Sequence, residues 1–276
     1  MSSLHTVSRE VGSNAPVAAA NELAAVAMPD RPPGKVVVVM PAYNAARTLQ
    51  RTVQAIPMDW VDEIILVDDN STDDTVALAR TLPVRLIWHP HNVGYGGNQK
   101  TCYLEALRLD ADVVVMLHPD GQYEPQLIPR MVAPILRGEA DLVLGSRLLE
   151  PGSALAGGMP RYKYVCNRIL TGIQNELIGT DMSELHTGYR AYSRGLLLGV
   201  PFLRNALGWV FDSELLIQAV HFGFRIAEVP ARSRYFDDSS SIGFGAATVY
   251  GLKSLWTAVR LILHRHRIWR WRKLMR

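Results

Sequence analysis

The sequence predicts an α/β fold: a mostly parallel central sheet with helices on both faces. Three observations predict it. Short β-branched runs alternate with segments of helical spacing. The runs are apolar at successive positions rather than alternate ones, as in strands buried on both sides. Most runs also end in a cluster of polar residues, at the edge where such sheets bind ligands.

Val36-Val37-Val38-Val39-Met40 reads as the first strand, and helical spacing follows from Ala45 to Ile56. Glu63–Val67 is the second strand, after which Ser71-Thr72-Asp73-Asp74 can cap a helix running to Leu82. Val84–Trp88 is the third. A turn with Gly94, Gly96 and Gly97 leads into a helix through Leu109. Val113–Leu117 is the fourth strand, Gln126–Leu136 a helix, and Asp141–Leu144 a fifth strand.

The residues just after these strands are Pro41-Ala42-Tyr43-Asn44, Asp68-Asp69-Asn70-Ser71, His89-Pro90-His91-Asn92, His118-Pro119-Asp120-Gly121-Gln122 and Gly145-Ser146-Arg147. Four of the five clusters are chemically loaded. In an extended segment His118, Asp120 and Gln122 share one face, although Pro119-Asp120-Gly121 also suits a plain surface turn. Neither a dinucleotide glycine fingerprint nor a P-loop follows the first strand. Tyr43 can instead stack on a base, and Asp69 can accept from a base N–H. Asp120 suits a hard divalent cation that takes few protein carboxylates plus phosphate oxygens. Arg147 can grip a phosphate or serve as a surface ion pair.

The chain has 276 residues, 48% hydrophobic and 20% charged, with a net charge of +3. No acidic residue follows Asp238, whereas eight Lys and Arg do, so the body is acidic and the end basic. An anionic surface is the expected partner of that end. Nucleic acid is not, because the body is acidic and shows no recognition motif. Cys102 and Cys166 form neither a disulfide framework nor a metal spacing, which fits a reducing compartment. Residues 1–34 read as a disordered leader, residues 35–245 as the folded domain, and 246–276 as a basic amphipathic helix. In that segment Leu252, Leu255, Trp256, Val259, Ile262 and Leu263 recur at helical spacing, and Trp269 and Trp271 sit among basic residues. Such a helix lies in a bilayer interface or docks on its own domain. No apolar run reaches 18 residues.

Taken together, PAYN, VDDNSTDDT, HPDGQYEP, GSR, HTGYRAYSR, FDSELL and GFRIAEVPARSRY resemble, in that order, the family-two inverting glycosyltransferases of the GT-A fold. The branch they are most similar to comprises the dolichyl- and polyprenyl-phosphate sugar synthases and their bacterial relatives. The resemblance covers about residues 35–241. It implies a single nucleotide-sugar-binding domain and an enzyme moving a hexose from a nucleoside diphosphate sugar, UDP- or GDP-linked, to a polyprenyl phosphate. It implies nucleotide-sugar contacts from Pro41, Ala42, Tyr43, Asn44, Asp68, Asp69, Asp120 and Arg147. Asn44 stands where relatives often have Glu.

The family's metal motif is Asp-x-Asp followed by Gly-Gln, so Asp120 is implied as the metal aspartate, with Gln122 beside it. His118 replaces the first aspartate, as a nitrogen ligand or a spectator. Imidazole is softer than carboxylate and favours Mn²⁺ over Mg²⁺. The resemblance places Arg161 and Lys163 in a loop for a lipid phosphate, and makes Arg190, Arg232 and Arg234 further phosphate contacts. Asp212, Glu214 and Glu184 are the candidate bases.

A base is required if the acceptor is a hydroxyl of a glycan or glycolipid, but not if it is a lipid phosphate, which is already anionic. Transfer to a hydroxyl in envelope polysaccharide synthesis is therefore the alternative, with a non-catalytic nucleotide-sugar-binding subunit behind it. A sugar nucleotidyltransferase would want a Gly-rich, basic loop after the first strand, which PAYN is not. The implied location is the inner face of the cytoplasmic membrane, as a peripheral protein.

Overall fold

The computed structural model describes residues 30–233 and 244–275. Among them, seven strands form one sheet: β1 (Val36–Ala42), β2 (Glu63–Asp68), β3 (Arg85–Trp88), β4 (Val113–Met116), β5 (Leu142–Ser146), β6 (Arg190–Ser193) and β7 (Ile226–Pro230). Their order is β3-β2-β1-β4-β6-β5-β7. Every pair is parallel except those of β6, which runs against both β4 and β5. The five expected strands are present; β6 and β7 are additions.

Alternation along the strands divides the core. Val37, Val39, Ile65, Val67, Val114 and Met116 pack on one face with Tyr103 of α3 (Tyr95–Arg108) and with Phe211 and Leu215 of α8 (Phe211–His221). Val36, Val38, Met40, Ile64, Leu66, Val113 and Val115 pack on the other, with Leu49 and Val53 of α1 (Ala46–Gln54) and Met131 and Val132 of α4 (Ile128–Leu136). Both faces are dry, which is why the strands read as continuous apolar runs.

The remaining helices are α2 (Thr75–Ala79), α5 (Ser153–Ala156), α6 (Arg161–Ile178), α7 (Arg194–Gly199) and α9 (Phe244–Arg265). The helix expected to run to Leu82 is therefore only one turn of α2. Arg161 and Lys163, expected in a loop, sit in the first turn of α6. Most of the expected leader, 1–34, lies outside the described residues.

A helix is present in the predicted C-terminal segment, and it packs against α6 and α8. Its buried residues include Ser254, Thr257, Ala258 and Leu261, while Leu252 and Trp256 are exposed. Helix α6 follows the same rule: Thr171, Gln174 and Ile178 are buried, and Tyr162, Val165, Ile169 and Ile173 are exposed. No helix of the described residues is long and apolar enough to cross a membrane.

Candidate active site

The carboxyl ends of β1, β2, β4 and β5 open on one cleft of about 1400 Å³. Because β6 runs the other way, the segment entering it reaches that same edge, pairing Arg190 with Met116. Gly188 passes so close that a Cβ there would lie 3.1 Å from His118 Nε2. This approach brings the HTGYR segment beside the HPDGQ segment.

The first two strand ends are latched together. Asp68 accepts from the Ser71 amide at 2.9 Å and from its hydroxyl. Asn44, at φ +52°, accepts from the Thr72 amide at 2.8 Å. Asp69 accepts from the amides of Val93 (2.8 Å) and Gly94 (3.0 Å), and its Oδ1 lies 2.9 Å from His89 Nδ1. Pro41, Ala42, Tyr43, Asn44 and Asp69 line the cleft, with the Tyr43 ring at its mouth. Asp68 does not line it. Its carboxylate is committed to Ser71, so it shapes the loop rather than facing a ligand.

At the centre, the Tyr95 hydroxyl donates to Asp212 Oδ2 at 2.6 Å. Burial first, and then the neighbouring carboxylate, raise the Tyr95 pKa well above the ordinary phenol value and keep it a neutral donor. With that proton given to Asp212, the Tyr95 oxygen accepts from His118 Nε2 at 3.2 Å. His118 therefore has Nδ1, not Nε2, available to a metal. Trp209 stacks on Tyr95, ring centroids 4.2 Å apart. Asp212 Oδ1 is buried and has no hydrogen-bond partner. Tyr95 and Trp209 were not expected as site residues; the glycine-rich turn around Tyr95 was the one sequence signal.

The other acidic candidates are placed differently. Glu214 follows Asp212 by two residues on α8, so the two side chains diverge. Glu214 accepts from the Ala206 amide at 2.6 Å and pairs with Lys273, away from the cleft lining. Glu184 is fully buried and pairs with Arg147, whose amide donates to it at 2.7 Å and whose Nε donates at 2.9 Å. Burial alone would raise the Glu184 pKa, but Arg147 and Asn167 hold it below the usual range. Arg147 lines the cleft, so Glu184 acts beneath it as counter-ion rather than as a base in the open.

The expected phosphate-binding cations also divide. Lys163 lines the cleft; Arg161 and Arg232 are exposed outside its lining. Arg190 is fully buried and donates to the carbonyls of Thr187, Leu185 and Asp212. It braces the loop and helix that carry the site, and its guanidinium is spent on carbonyl oxygens. Arg234 lies outside the described residues. Arg47 and Arg51 of α1 line the cleft beside Asp120 and had not been expected there.

Asp120 and Gln122 line the cleft too, and Asp120 Oδ1 accepts from the Gln122 amide at 3.0 Å. No group of three His, Cys, Asp or Glu that could hold a metal occurs among the described residues. Asp120 is the carboxylate donor that the described cleft residues offer beside His118 and Gln122. It fits a hard cation that takes one carboxylate and completes its shell with phosphate oxygens and water.

A sheet of this order with a polar cleft at its carboxyl edge is the GT-A glycosyltransferase fold. Glucosyl-3-phosphoglycerate synthase from Mycobacterium tuberculosis, solved in complex with Mn²⁺, uridine diphosphate and glucosyl-3-phosphoglycerate, superposes with a TM-score of 0.63 at 23% identity, covering 83% of this chain and 80% of that one. Residues 37–198, more than half the chain, match Glycosyl transferase family 2, and the protein belongs to that family.

Two similar proteins are named for lipid-phosphate acceptors. The UDP-N-acetylglucosamine–dolichyl-phosphate N-acetylglucosaminyltransferase of Methanococcus voltae is 30% identical over 75% of this chain and 88% of its own length. The polyprenol monophosphomannose synthase of Mycolicibacterium smegmatis is 29% identical over 72% and 77%.

Proposed function

We propose that the protein is an inverting hexosyltransferase that moves a sugar from a nucleoside diphosphate sugar to a polyprenyl phosphate at a membrane surface. One observation carries this reading. The cleft does not end at the strand edge but runs on between α6 and α9. Ile169, Leu170 and Ile173 line it from one helix, and Leu252 and Leu255 from the other. A polar, cationic chamber joined to an apolar arm matches a ligand with a phosphate head and a hydrocarbon tail. The similar proteins named for dolichyl- and polyprenyl-phosphate acceptors support it.

The surface around the arm supports a membrane location. Val249, Leu252 and Trp256 of α9 and Tyr162, Val165, Ile169 and Ile173 of α6 are exposed together. Apolar patches of this kind mark interaction sites. Arg260 lies 5.4–5.6 Å from the ring centroids of Trp256, Trp269 and Trp271, and Trp amid basic residues suits the headgroup layer. The protein is read as peripheral on the cytoplasmic face.

The chain's own residues then take these parts. Tyr43 offers a ring to the base, and the latched Asn44 and Asp69 loops hold the nucleoside end. Asp120, with Gln122 and Nδ1 of His118 nearby, would hold a Mn²⁺ or Mg²⁺ ion. When bound, that ion neutralises charge on the departing diphosphate. Lys163 and Arg147 reduce the repulsion between the acceptor's phosphate and the donor's diphosphate. The anionic acceptor needs no proton removed, so Tyr95 and Asp212 order the site beneath the sugar.

A hydroxyl acceptor is the second reading, favoured by Asp212 Oδ1, a buried carboxylate oxygen without a partner. Incubating the protein with a panel of UDP- and GDP-hexoses, undecaprenyl phosphate and Mn²⁺ separates the two. A mild-acid-labile glycolipid is expected. Transfer only to glycan or glycolipid hydroxyls would overturn the lipid-phosphate reading.

A further inference from the structure

One polar group in the cleft has no part in the chemistry above. His186 lies just before β6, its Nδ1 is 2.9 Å from the Tyr250 hydroxyl on α9, and both residues line the cleft. Its Nε2 is buried and has no hydrogen-bond partner in the protein. A buried polar atom left unpaired is costly and calls for an explanation, a bound partner being one.

The proton positions follow from the neighbours. Burial lowers the His186 pKa to about 4, Glu184 opposing that shift and Arg190 and Arg147 adding to it. The ring is therefore neutral at ordinary pH and has a single N–H. Burial also raises the Tyr250 pKa, so that hydroxyl keeps its one proton. Two partners are in reach of that proton, His186 Nδ1 at 2.9 Å and Ser213 Oγ at 3.3 Å, and the Ser213 hydroxyl can itself be the donor in the second. The shorter contact directs it to Nδ1, which leaves the imidazole proton on Nε2, the unpartnered atom.

The surroundings identify what Nε2–H meets. Arg147 Nη2 donates to the His186 carbonyl at 3.3 Å, and Lys163 lines the same cleft. Gly251, Leu252 and Leu255, which continue α9 beyond Tyr250, line the apolar arm. His186 thus stands where the cationic chamber meets the hydrocarbon channel. We propose that His186 Nε2–H donates a hydrogen bond to the phosphate of the lipid acceptor, and that the Tyr250 hydroxyl sets the tautomer that makes it a donor. Helix α9 thereby completes the acceptor site. This inference rests on the lipid-phosphate reading.

The test is steady-state kinetics with undecaprenyl phosphate and whichever UDP- or GDP-hexose the wild type uses, on His186→Ala, His186→Gln and Tyr250→Phe. The Gln amide can reproduce the lost donor; Ala cannot. His186→Ala should raise the acceptor KM about tenfold, as expected for one lost hydrogen bond to an anion, with nucleoside diphosphate Kd and donor KM within about twofold of wild type. His186→Gln should recover most of the loss, and Tyr250→Phe should fall between.

An unchanged acceptor KM in His186→Ala would overturn the proposal. So would an equal loss of donor affinity, or a Gln variant as poor as Ala. If His186→Ala does not fold, the Gln and Phe variants decide: a wild-type acceptor KM in Tyr250→Phe, or a tenfold rise in His186→Gln, overturns it. Wild-type protein that makes no lipid-linked product would remove the functional reading itself, before any variant is compared.

Discussion

Tyr95 and Asp212 are 117 residues apart in the chain and share a 2.6 Å hydrogen bond at the floor of the cleft. The phenol donates to Oδ2, turning Oδ1 to the unpaired position. A hydrogen bond to a charged group contributes about 1.5–3 kcal/mol. Tyr95→Phe, which takes that donor from the buried carboxylate, should therefore lower the unfolding midpoint as well as kcat, the latter about tenfold to a hundredfold. Asp212→Asn, which leaves an amide facing the phenol, should lose more. If a hydroxyl is the true acceptor, Asp212→Asn should abolish turnover.

Asp120 is the metal-binding carboxylate of the proposed mechanism. Asp120→Ala should reduce turnover about a hundredfold or more, the scale of losing a principal electrostatic stabiliser, with the far-ultraviolet circular dichroism spectrum unchanged. A chelator should have the same effect, reversed by added metal. Because His118 offers a nitrogen where a second carboxylate is usual, Mn²⁺ should sustain higher activity than Mg²⁺. Clearly faster turnover in Mg²⁺ would leave His118 as a spectator.

Arg147 and Glu184 form a buried ion pair, the carboxylate with no exposed surface. Removing one partner of such a pair strands a charge and costs about 3–5 kcal/mol. Arg147→Met and Glu184→Gln should each lower the denaturant midpoint. The double variant should be less destabilised than the two losses summed. Additive losses in that cycle would mean the pair is not coupled.

His186 makes stability depend on pH. Its folded-state pKa is about 4, against 6.5 unperturbed. Between those values the unfolded chain binds a proton that the folded chain does not. Stability therefore falls as pH drops from about 6.5 to 4, by at most about 3 kcal/mol from this group. Unfolding curves across that window should show a gentler slope for His186→Gln than for wild type. Glu184, whose pKa is depressed, acts at lower pH: its contribution is full above its unfolded value and is lost as acid titrates the folded state.

The exposed faces of α6 and α9 should govern membrane binding. Replacing Leu252, Trp256 and Ile169 by Ser should release the protein from anionic vesicles in a co-sedimentation assay without changing its melting temperature. Cutting the chain after Tyr250 is a poorer probe, because it removes Ser254, Ala258 and Leu261 from the interior. Equal retention of the triple Ser variant would refute the interface.

Much of the fold was legible because both-face burial writes itself as unbroken apolar runs such as Val36–Met40. Strand β6 was not, since Arg-Ala-Tyr-Ser is short and begins with a cation. That Arg190 lies in the core with three carbonyl partners has no signature in composition. Helix α6 was hidden for the opposite reason: its buried side includes Thr171 and Gln174 and its open side Tyr162, Val165 and Ile169, so the usual inside–outside rule misleads. In the candidate site, strand-end position singled out Asp120, Arg147 and Tyr43, all three of which line the cleft. It could not separate Asp212 from Glu214, because only the helical turn sends one to the cleft and the other to Lys273. Trp209 and Arg51 reach the cleft from outside the strand ends, so strand-end reasoning passed them over.

Among the apolar contacts that join α6, α8 and α9 sit hydroxyls and an amide: Ser213 Oγ lies 2.8 Å from Ser254 Oγ, which accepts from Gln174 at 2.8 Å. A greasy seam could slide or part when lipid offers an equally oily alternative, but this one would strand its donors and acceptors in hydrocarbon. The terminal helix is thus a keel rather than a mooring line. On the proposed reading these three helices would meet a bilayer as one packed hull, and the lipid would have to lift its headgroup to the chemistry.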